Sequence, residues 1–262
     1  MSRFFDMSQP RRQQRGLSLI ELMVAMVIGS FLILGVTQIF ISNQKSYLFQ
    51  QGQGGNQENG RFSLAILSKE LSKAGYRSNP SRDFPAGSAQ GCAFPAKTSV
   101  YALSATALCI QYQASNRADV TCQGTALPAD AQTSIADTYS QINPIIIERI
   151  EFNSATNSIT CTSGTVVQQL VTGVAGLRFE YGSGDGNLKV VSAFSTSPTA
   201  TIGAVRYTVL MQSPGTTSIR DTTTTPSLAL TDWNTRFSTK LVDNNQLYQL
   251  VQGTTMIRNQ MQ

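Results

Sequence analysis

The sequence predicts an α+β protein, in which a long N-terminal hydrophobic α-helix packs on a C-terminal antiparallel β-sheet domain. Three observations support this prediction. Residues 17–41 form an apolar run with a single charge, at Glu21. Helical periodicity continues to about residue 76, and β-type alternation separated by turn motifs follows from residue 98. A helix with an apolar stripe and a sheet with one apolar face can bury both surfaces in one domain.

Residues 1–16 form a short basic leader, in which four arginines stand against one aspartate. The apolar residues 17–41 follow, and 25 helical residues span about 37 Å, enough to cross a hydrocarbon layer of about 30 Å. The run ends without the small residues that a signal-peptide cleavage site requires. We therefore expect a retained single-pass membrane helix, with the leader in the cytoplasm and the remaining residues in the periplasm.

A family resemblance begins at Gly16, in the segment GLSLIE. This segment resembles the class III signal of type IV prepilins and pseudopilins. The resemblance implies that a membrane peptidase cleaves after Gly16, that Leu17 becomes the methylated N-terminal residue, and that Glu21 pairs with the N-terminal amine of a neighbouring subunit. The usual first mature residue is phenylalanine, so Leu17 is a mild departure. Many major pilins have a proline in this helix; its absence between Leu17 and Asn79 favours a minor pilin.

The charge of Glu21 has a physical rationale of its own. A carboxylate in lipid costs on the order of 3 kcal/mol, and less near an interface, so it requires a partner or a purpose. Cleavage would expose an ammonium group on Leu17, one helical turn from Glu21 on the same face. In the low-dielectric core of a filament, Glu21 would favour a position beside the ammonium of another subunit, which fixes the axial register. The alternative is a simple anchor whose Glu21 lies among the headgroups.

Residues 42–76 are predicted to continue the helix. Four glycines, each costing up to about 1 kcal/mol relative to alanine, predict a soft point at residues 52–60. Beyond it an apolar stripe resumes, and Gly75 is expected to end the helix. The cations that follow are interpreted as a solvated face rather than a contact patch: Lys69, Lys73, Arg77 and Arg82.

Residues 77–262 are predicted to form a periplasmic β-rich globular domain, with surface loops at 195–201 and 213–227. The predicted strands are Ala107–Gln113, Ile145–Asn153, Ser158–Thr162, Val166–Leu170, Val174–Tyr181, Lys189–Phe194, Ala204–Gln212, Phe237–Leu241 and Leu247–Val251, the last extended by residues 254–258.

The four cysteines all follow the apolar segment. An even number of cysteines in an exported domain indicates two disulfides, which allow three connectivities. We favour Cys92–Cys109 with Cys122–Cys161. Free buried thiols and an irregular four-thiolate zinc site are the alternatives, but the sequence has no CxxC pair and no histidine. No metal site is predicted.

The sequence predicts no enzyme and no cofactor. Without histidine, the usual general base and the Ser-His-Asp arrangement are absent. The segment Gly182–Asn187 offers Asp185 and Asn187 to calcium, or its glycines to an anion, but its position after a strand favours a hairpin turn. A nucleic-acid partner is a weak alternative that would use Arg236, Lys240 and Arg258, with Trp233, Phe237 and Tyr248 for stacking.

Further segments resemble PilW-type minor pilins: QENGRF at residues 57–62, KAGY at 73–76, LVTGV at 170–174, LRFEYG at 177–182 and TTMIRN at 254–259. The resemblance implies a minor pilin that primes, assembles or caps a type IV pilus, with twitching motility, adhesion and DNA uptake as associated processes. Its partners would be other minor and major pilins, the prepilin peptidase, the inner-membrane assembly platform and, before assembly, membrane lipid. It would reside in the inner membrane and then in the cell-surface pilus. A type II secretion pseudopilin and a tip adhesin or DNA-binding subunit are the alternatives.

Overall fold

The computed structural model describes residues 16–127, 129, 132, 135, 143–184, 191, 193–214, 219–220 and 226–260. Residue contacts divide the chain into two units, Met1–Leu48 and Phe49–Gln262, which are described separately. Helix α1 runs from Leu19 to Lys73 and contributes to both units.

In the first unit, the described residues form the N-terminal part of α1 and bury almost nothing. Every residue from 16 to 48 is exposed except Gly29, which is half-buried. The large apolar side chains between Leu17 and Ile41 therefore have no partner within the described residues of this unit.

In the second unit, α1 buries small and polar residues before it buries leucines. Its buried positions follow one helix face, with steps of three or four residues from Gly52 to Leu67 and from Leu67 to both Glu70 and Leu71: Gly52, Asn56, Gly60, Ser63, Leu67, Glu70 and Leu71. The helix is unbroken across residues 52–60, so the predicted soft point is not visible as a break and remains a prediction about helix stability. Gly75, with φ of 79°, follows the end of the helix.

The glycines of this stretch allow a close approach to the β-sheet. A Cβ on Gly52 would lie 3.1 Å from Leu247 Cδ1 and one on Gly60 would lie 3.1 Å from Val251 Cγ1, whereas a Cβ on Gly54 would meet nothing within 4 Å. Asn56 Nδ2 donates to the Leu247 carbonyl at 2.7 Å, which ties the helix to the same segment.

Two larger antiparallel sheets and one small hairpin follow α1. The strands are β1 (Gly87–Ala89), β2 (Cys92–Phe94), β3 (Val100–Ala102), β4 (Ala107–Gln113), β5 (Ile145–Asn153), β6 (Ser158–Ser163), β7 (Val166–Thr172), β8 (Val174–Ser183), β9 (Ala193–Ser195), β10 (Ile202–Gln212) and β11 (Tyr248–Met256). The hairpin pairs β1 with β2, the five-stranded sheet has the order β3-β4-β5-β6-β7, and the four-stranded sheet has the order β11-β10-β8-β9.

One hydrophobic core joins α1 to both sheets. It includes Leu67 and Leu71 from the helix, Leu108 and Ile150 from the five-stranded sheet, and Phe179 from the four-stranded sheet, each 0% exposed. This arrangement is the α+β fold that the sequence predicted: a long apolar N-terminal helix followed by antiparallel sheets.

The outer face of the four-stranded sheet carries another helix, α2 (Leu228–Phe237). Ser227 caps its N-terminus by accepting a hydrogen bond from the Leu230 amide at 3.4 Å. Leu230 and Trp233 pack against Leu210 of β10 in a separate small cluster. A Cβ at Gly176 would lie 2.6 Å from the Trp233 ring, so glycine is required there.

The strand predictions were correct for β4 and β5 and one or two residues short at one end of β6, β7, β8 and β10. Strand β11 begins at Tyr248, one residue after the predicted start at Leu247, and ends at Met256, within the predicted extension at residues 254–258. The predicted strand Phe237–Leu241 was wrong, because Phe237 ends α2 and the residues that follow are not extended into a strand. Of the predicted strand Lys189–Phe194, residues 189, 190 and 192 lie outside the described residues, and β9 begins at Ala193. The short strands β1, β2 and β3 and helix α2 were missed.

Candidate functional site

The start of α1 is organised around Glu21. Gly16, Leu17 and Ser18 precede the helix, and the Ser18 amide donates to Glu21 Oε2 at 3.0 Å. The Leu22 amide donates to the Ser18 carbonyl at 3.2 Å, which places Ser18 at the N-cap and Glu21 three residues later. This is the glutamate half of a capping box, and a carboxylate is favoured at this positive end of the helix dipole.

Glu21 lies beside an apolar groove on the helix surface. The groove is lined by Ile20, Val24, Ala25 and Ile28 together with Glu21 itself. Residues four apart on a helix share a face, so the carboxylate sits on the rim of an apolar stripe. An adjacent helix that packed on this stripe would bury Glu21 at the contact.

The hydroxyl groups of Ser30 and Thr37, within the apolar segment, form hydrogen bonds inside the helix. Ser30 Oγ donates to the Met26 carbonyl at 2.8 Å, and Thr37 Oγ1 donates to the Ile33 carbonyl at 2.8 Å. Such bonds to the preceding turn remove the cost of placing a hydroxyl in an apolar medium. The segment is therefore suited to lipid or to a bundle of similar helices.

By length and composition, α1 contains a stretch that could cross a membrane, and none of that stretch is buried. Residues 1–15 of the predicted leader lie outside the described residues, so only Gly16 of the leader is placed. The predicted cleavage point between Gly16 and Leu17 falls in the segment before α1 that is not helical, and Leu17 is 80% exposed.

The structure pairs Cys92 with Cys109 and Cys122 with Cys161, and the chain has no free cysteine. These are the two pairs that the sequence favoured. Glu148 lies close to the second pair, and its carboxylate and the two sulfurs lie within 4.8 Å of one another. Because the two sulfurs are bonded to each other, they are not available as thiolate ligands for a metal.

Glu148 is fully buried. Its Oε1 accepts hydrogen bonds from the Tyr112 hydroxyl at 2.8 Å and from the Cys122 amide at 2.7 Å. Burial raises the pKa of Glu148 above its ordinary value, while the charge of Lys73 and these two donors oppose the rise. Burial together with the neighbouring Glu148 carboxylate also raises the pKa of Tyr112.

The proposed nucleic-acid residues do not present a stacking surface. Trp233 is 2% exposed and packs inward, and the Phe237 ring is flanked by the guanidinium groups of Arg178 and Arg236 at 5.6 and 5.0 Å from its centroid. Arg236 is paired with Glu180 at 3.1 Å, while Lys240 and Arg258 are exposed in other segments. The sequence did not indicate the pairing of Arg206 with Glu180, which the structure places at 3.7 Å.

The remaining ligand candidates can be followed only in part. Asp185 and Asn187 lie outside the described residues, whereas β8 and β9 on either side pair antiparallel, as a hairpin requires. Of the cations near the end of α1, Lys73 pairs with Glu70 and Arg77 with Asp83, and Lys69 and Arg82 are exposed.

Sequence reasoning overlooked Ser18. The spacing Ser18-x-x-Glu21 before an apolar run is a capping-box signature, and it would have indicated both the helix start and a local role for the carboxylate.

Comparisons with known proteins place a motif at this site. Residues 11–37 match the model of the prokaryotic N-terminal methylation motif. No curated protein matches the chain. Among solved structures, the chain is similar to a type IV-like pilin from Thermus thermophilus, with 10% sequence identity and a TM-score of 0.46, over 79% of this chain and 97% of that one. The chain thus carries an N-terminal methylation motif across Gly16, Leu17 and Glu21.

Proposed function

We propose that this chain is a minor pilin of a type IV pilus, with a structural and not an enzymatic role. In this proposal a prepilin peptidase cleaves after Gly16, Leu17 is methylated, and Glu21 sets the register of the helix among neighbouring pilin helices. The main support is the methylation motif at the start of an apolar helix whose side chains are unburied within the chain.

The exposed helix supports assembly with other helices. An apolar surface of this length is stable in water only when it is covered, and lipid and a helical bundle are the two coverings that its composition suits. We propose that lipid of the inner membrane covers it before assembly and that other minor and major pilins cover it afterwards, with the β-rich domain in the periplasm and then on the pilus. A PilW-type role in priming or capping the fibre, and hence in twitching motility, adhesion or DNA uptake, is part of this proposal.

The contact between Ser18 and Glu21 gives the register step a physical form. Before cleavage, the carboxylate is bonded to its own Ser18 amide at 3.0 Å. Cleavage would place a full positive charge on Leu17, one residue before Ser18. The ammonium of a neighbouring subunit would then compete for the Glu21 carboxylate. A charge-assisted bond in an apolar contact is stronger than a bond to a neutral amide, so assembly favours the exchange.

The experiment is mass spectrometry of the N-terminus, applied to protein recovered from sheared surface filaments and from membranes. We expect a methylated Leu17 in the filament fraction of the wild type. Gly16→Val should leave the leader attached. Gly35→Val, at a glycine within α1 that has open space around it, should be processed normally.

Glu21→Gln separates processing from assembly, because it removes the charge and keeps the shape. We expect normal cleavage and at least about a tenfold loss from the filament fraction, the scale for removing one partner of a buried charge pair. Glu58→Gln, at an exposed carboxylate later in α1, serves as the matched control and should be incorporated normally. Protein that retains Met1 in every fraction would refute the proposal. If the protein is processed but its deletion abolishes enzyme secretion and leaves piliation intact, the protein is a pseudopilin.

A further inference from the structure

A cavity of about 440 Å³ lies in the second unit, where the last turn of α1 meets the end of β4. The segment from Ser115 to Val120 and the C-terminal Asn259 complete its walls. Its volume is in the range of small-molecule sites, and all its lining residues belong to the described part of the β-rich unit. We refer to it as the α1–β4 cavity.

The charged groups around this cavity differ in whether they already have a partner within the chain. Asp119 accepts hydrogen bonds from the amides of Ser115 and Asn116 and from their side chains, so its carboxylate is committed to its own loop. Lys73 is paired with Glu70 and also donates to the Val120 carbonyl at 3.3 Å. Lys69 lines the cavity, is exposed, and has no ion-pair partner among the described residues. Lys69 is therefore the charged side chain of the lining that has no partner among the described residues, and it is available to a ligand carboxylate.

Besides the charge of Lys69, the side-chain amides of Gln113 and Asn259 supply hydrogen-bonding groups. Gln113 Oε1 accepts from the amide and the hydroxyl of Ser78 at 2.8 and 2.9 Å, which leaves the Nε2 of this buried side chain as a donor for a ligand. Asn259 Nδ2 donates to the Ala74 carbonyl at 3.1 Å, which leaves its Oδ1 as an acceptor. The lining thus offers a cation, a donor and an acceptor, and the side chain of Tyr76 also lines the cavity.

The walls of the cavity are held in place before any ligand binds. The Cys122–Cys161 disulfide closes the segment that carries Asp119 and Val120 onto β6. On the other side, the Gly75 amide donates to the Gln111 carbonyl at 2.9 Å, and a Cβ at Gly75 would lie 3.2 Å from Asn259 and from Ser99. A site whose donors are fixed in advance loses less entropy on binding.

We propose that the α1–β4 cavity binds a small carboxylate that also carries hydroxyl groups, of the class of the acidic sugars. Lys69 pairs with the carboxylate, Gln113 Nε2 donates to it, and Asn259 Oδ1 and the Tyr76 hydroxyl bind the hydroxyl groups. Such a ligand is either a free acidic monosaccharide or a residue of an acidic polysaccharide. This inference does not depend on the proposed role in a pilus.

The test compares D-glucuronate with D-glucose, which differ only at C6, where glucuronate has a carboxylate and glucose has a hydroxymethyl group, on the full-length protein in detergent micelles. Saturation-transfer NMR and titration calorimetry should detect glucuronate and give at least about tenfold weaker binding for glucose, the scale of one charge-assisted hydrogen bond. A glucuronate-containing tetrasaccharide is measured in parallel. Tighter binding of the tetrasaccharide identifies the polymer as the source, and equal binding identifies the free sugar.

Lys69→Gln should reduce glucuronate affinity about tenfold or more and leave glucose binding unchanged. Lys240→Gln, at an exposed lysine outside the cavity, is the matched control and should bind as the wild type does. Thermal unfolding of both variants establishes that they are folded. Absence of glucuronate binding, equal binding of glucose and glucuronate, or glucuronate binding that is insensitive to Lys69→Gln would each overturn the proposal.

Discussion

The two parts of helix α1 invert the usual relation between residue type and burial. Up to Leu48, leucine, isoleucine, valine and phenylalanine are exposed, and Leu32 retains 64% of its accessible surface. From Phe49 onward, the first residues to be buried are Gly52, Asn56 and Gly60. Both parts are helical, so secondary structure alone does not distinguish them.

The difference shows where each part finds its partner. The later part meets a sheet of its own chain, and small residues are buried there because the backbone approaches the strands closely. The earlier part has no such partner within the described residues, and its apolar side chains and self-satisfied hydroxyls suit a partner outside the chain. Burial, not helicity, distinguishes the part that packs within the chain from the part that is proposed to associate with other chains.

The sharpest test of this comparison is leucine truncation in each part. Leu67→Ala should lower the free energy of unfolding by about 2–5 kcal/mol, because Leu67 is 0% exposed in the core. Leu32→Ala should leave it unchanged. Urea unfolding of the full-length protein in detergent, followed by the fluorescence of the single tryptophan, Trp233, measures both. Equal losses in the two variants would contradict the division.

A smaller effect is expected from a pair of glycines in the later part. Gly60→Leu should destabilise the β-rich unit by about 1–3 kcal/mol, because its side chain would press on Val251. Gly54→Leu, which faces open space, should stabilise the helix by up to about 1 kcal/mol. The same urea titration compares them. If both substitutions stabilise the protein, the helix does not approach the sheet as closely as described.

The smallest effect is expected at Glu148, a buried carboxylate near the end of α1. Burial raises the pKa of Glu148, against the opposing charge of Lys73 and the donors from Cys122 and Tyr112, and with Glu70 adding to the rise. The native state therefore holds this proton more tightly than the unfolded state. The resulting stabilisation is complete below the ordinary pKa near 4.5 and is lost as the pH rises through the raised value.

Glu148→Gln should remove this pH dependence. Urea midpoints of wild type and variant should converge near pH 4 and separate towards pH 8, with the variant the more stable at high pH. Two curves that stay parallel between pH 4 and pH 8 would show that Glu148 does not hold a proton preferentially in the native state.

The sequence was most informative where a periodic or local signal acts alone. The apolar run at residues 17–41 and the alternation in β8 and β10 indicated the correct elements, and the even number of cysteines indicated two disulfides. It was less informative where tertiary contacts decide. Gly52 and Gly60 weaken an isolated helix, yet they lie where the helix touches the sheet, so the same residues favour packing.

Helix α2 and the α1–β4 cavity could not be predicted for the same reason. Trp233 and Phe237 are four residues apart on α2, but their aromatic character also suits a strand, and no local signal in the sequence reveals the space above Gly176 that holds the Trp233 ring. The cavity joins residues far apart in the chain, such as Lys69, Gln113 and Asn259, and no spacing in the sequence relates them.

Both disulfides belong to the half of the domain built around the five-stranded sheet: one joins β2 to β4, and the other joins the segment after β4 to β6. The four-stranded sheet contains no cysteine, and α1 is held against it by non-covalent contacts such as the bond from Asn56 to the Leu247 carbonyl. No disulfide involves α1, and one core joins it to both sheets, so a pulling force that entered through α1 would be resisted by contacts that can break and re-form. After such contacts break, the disulfides would still connect the segments of the five-stranded half, whereas the four-stranded sheet has no such link.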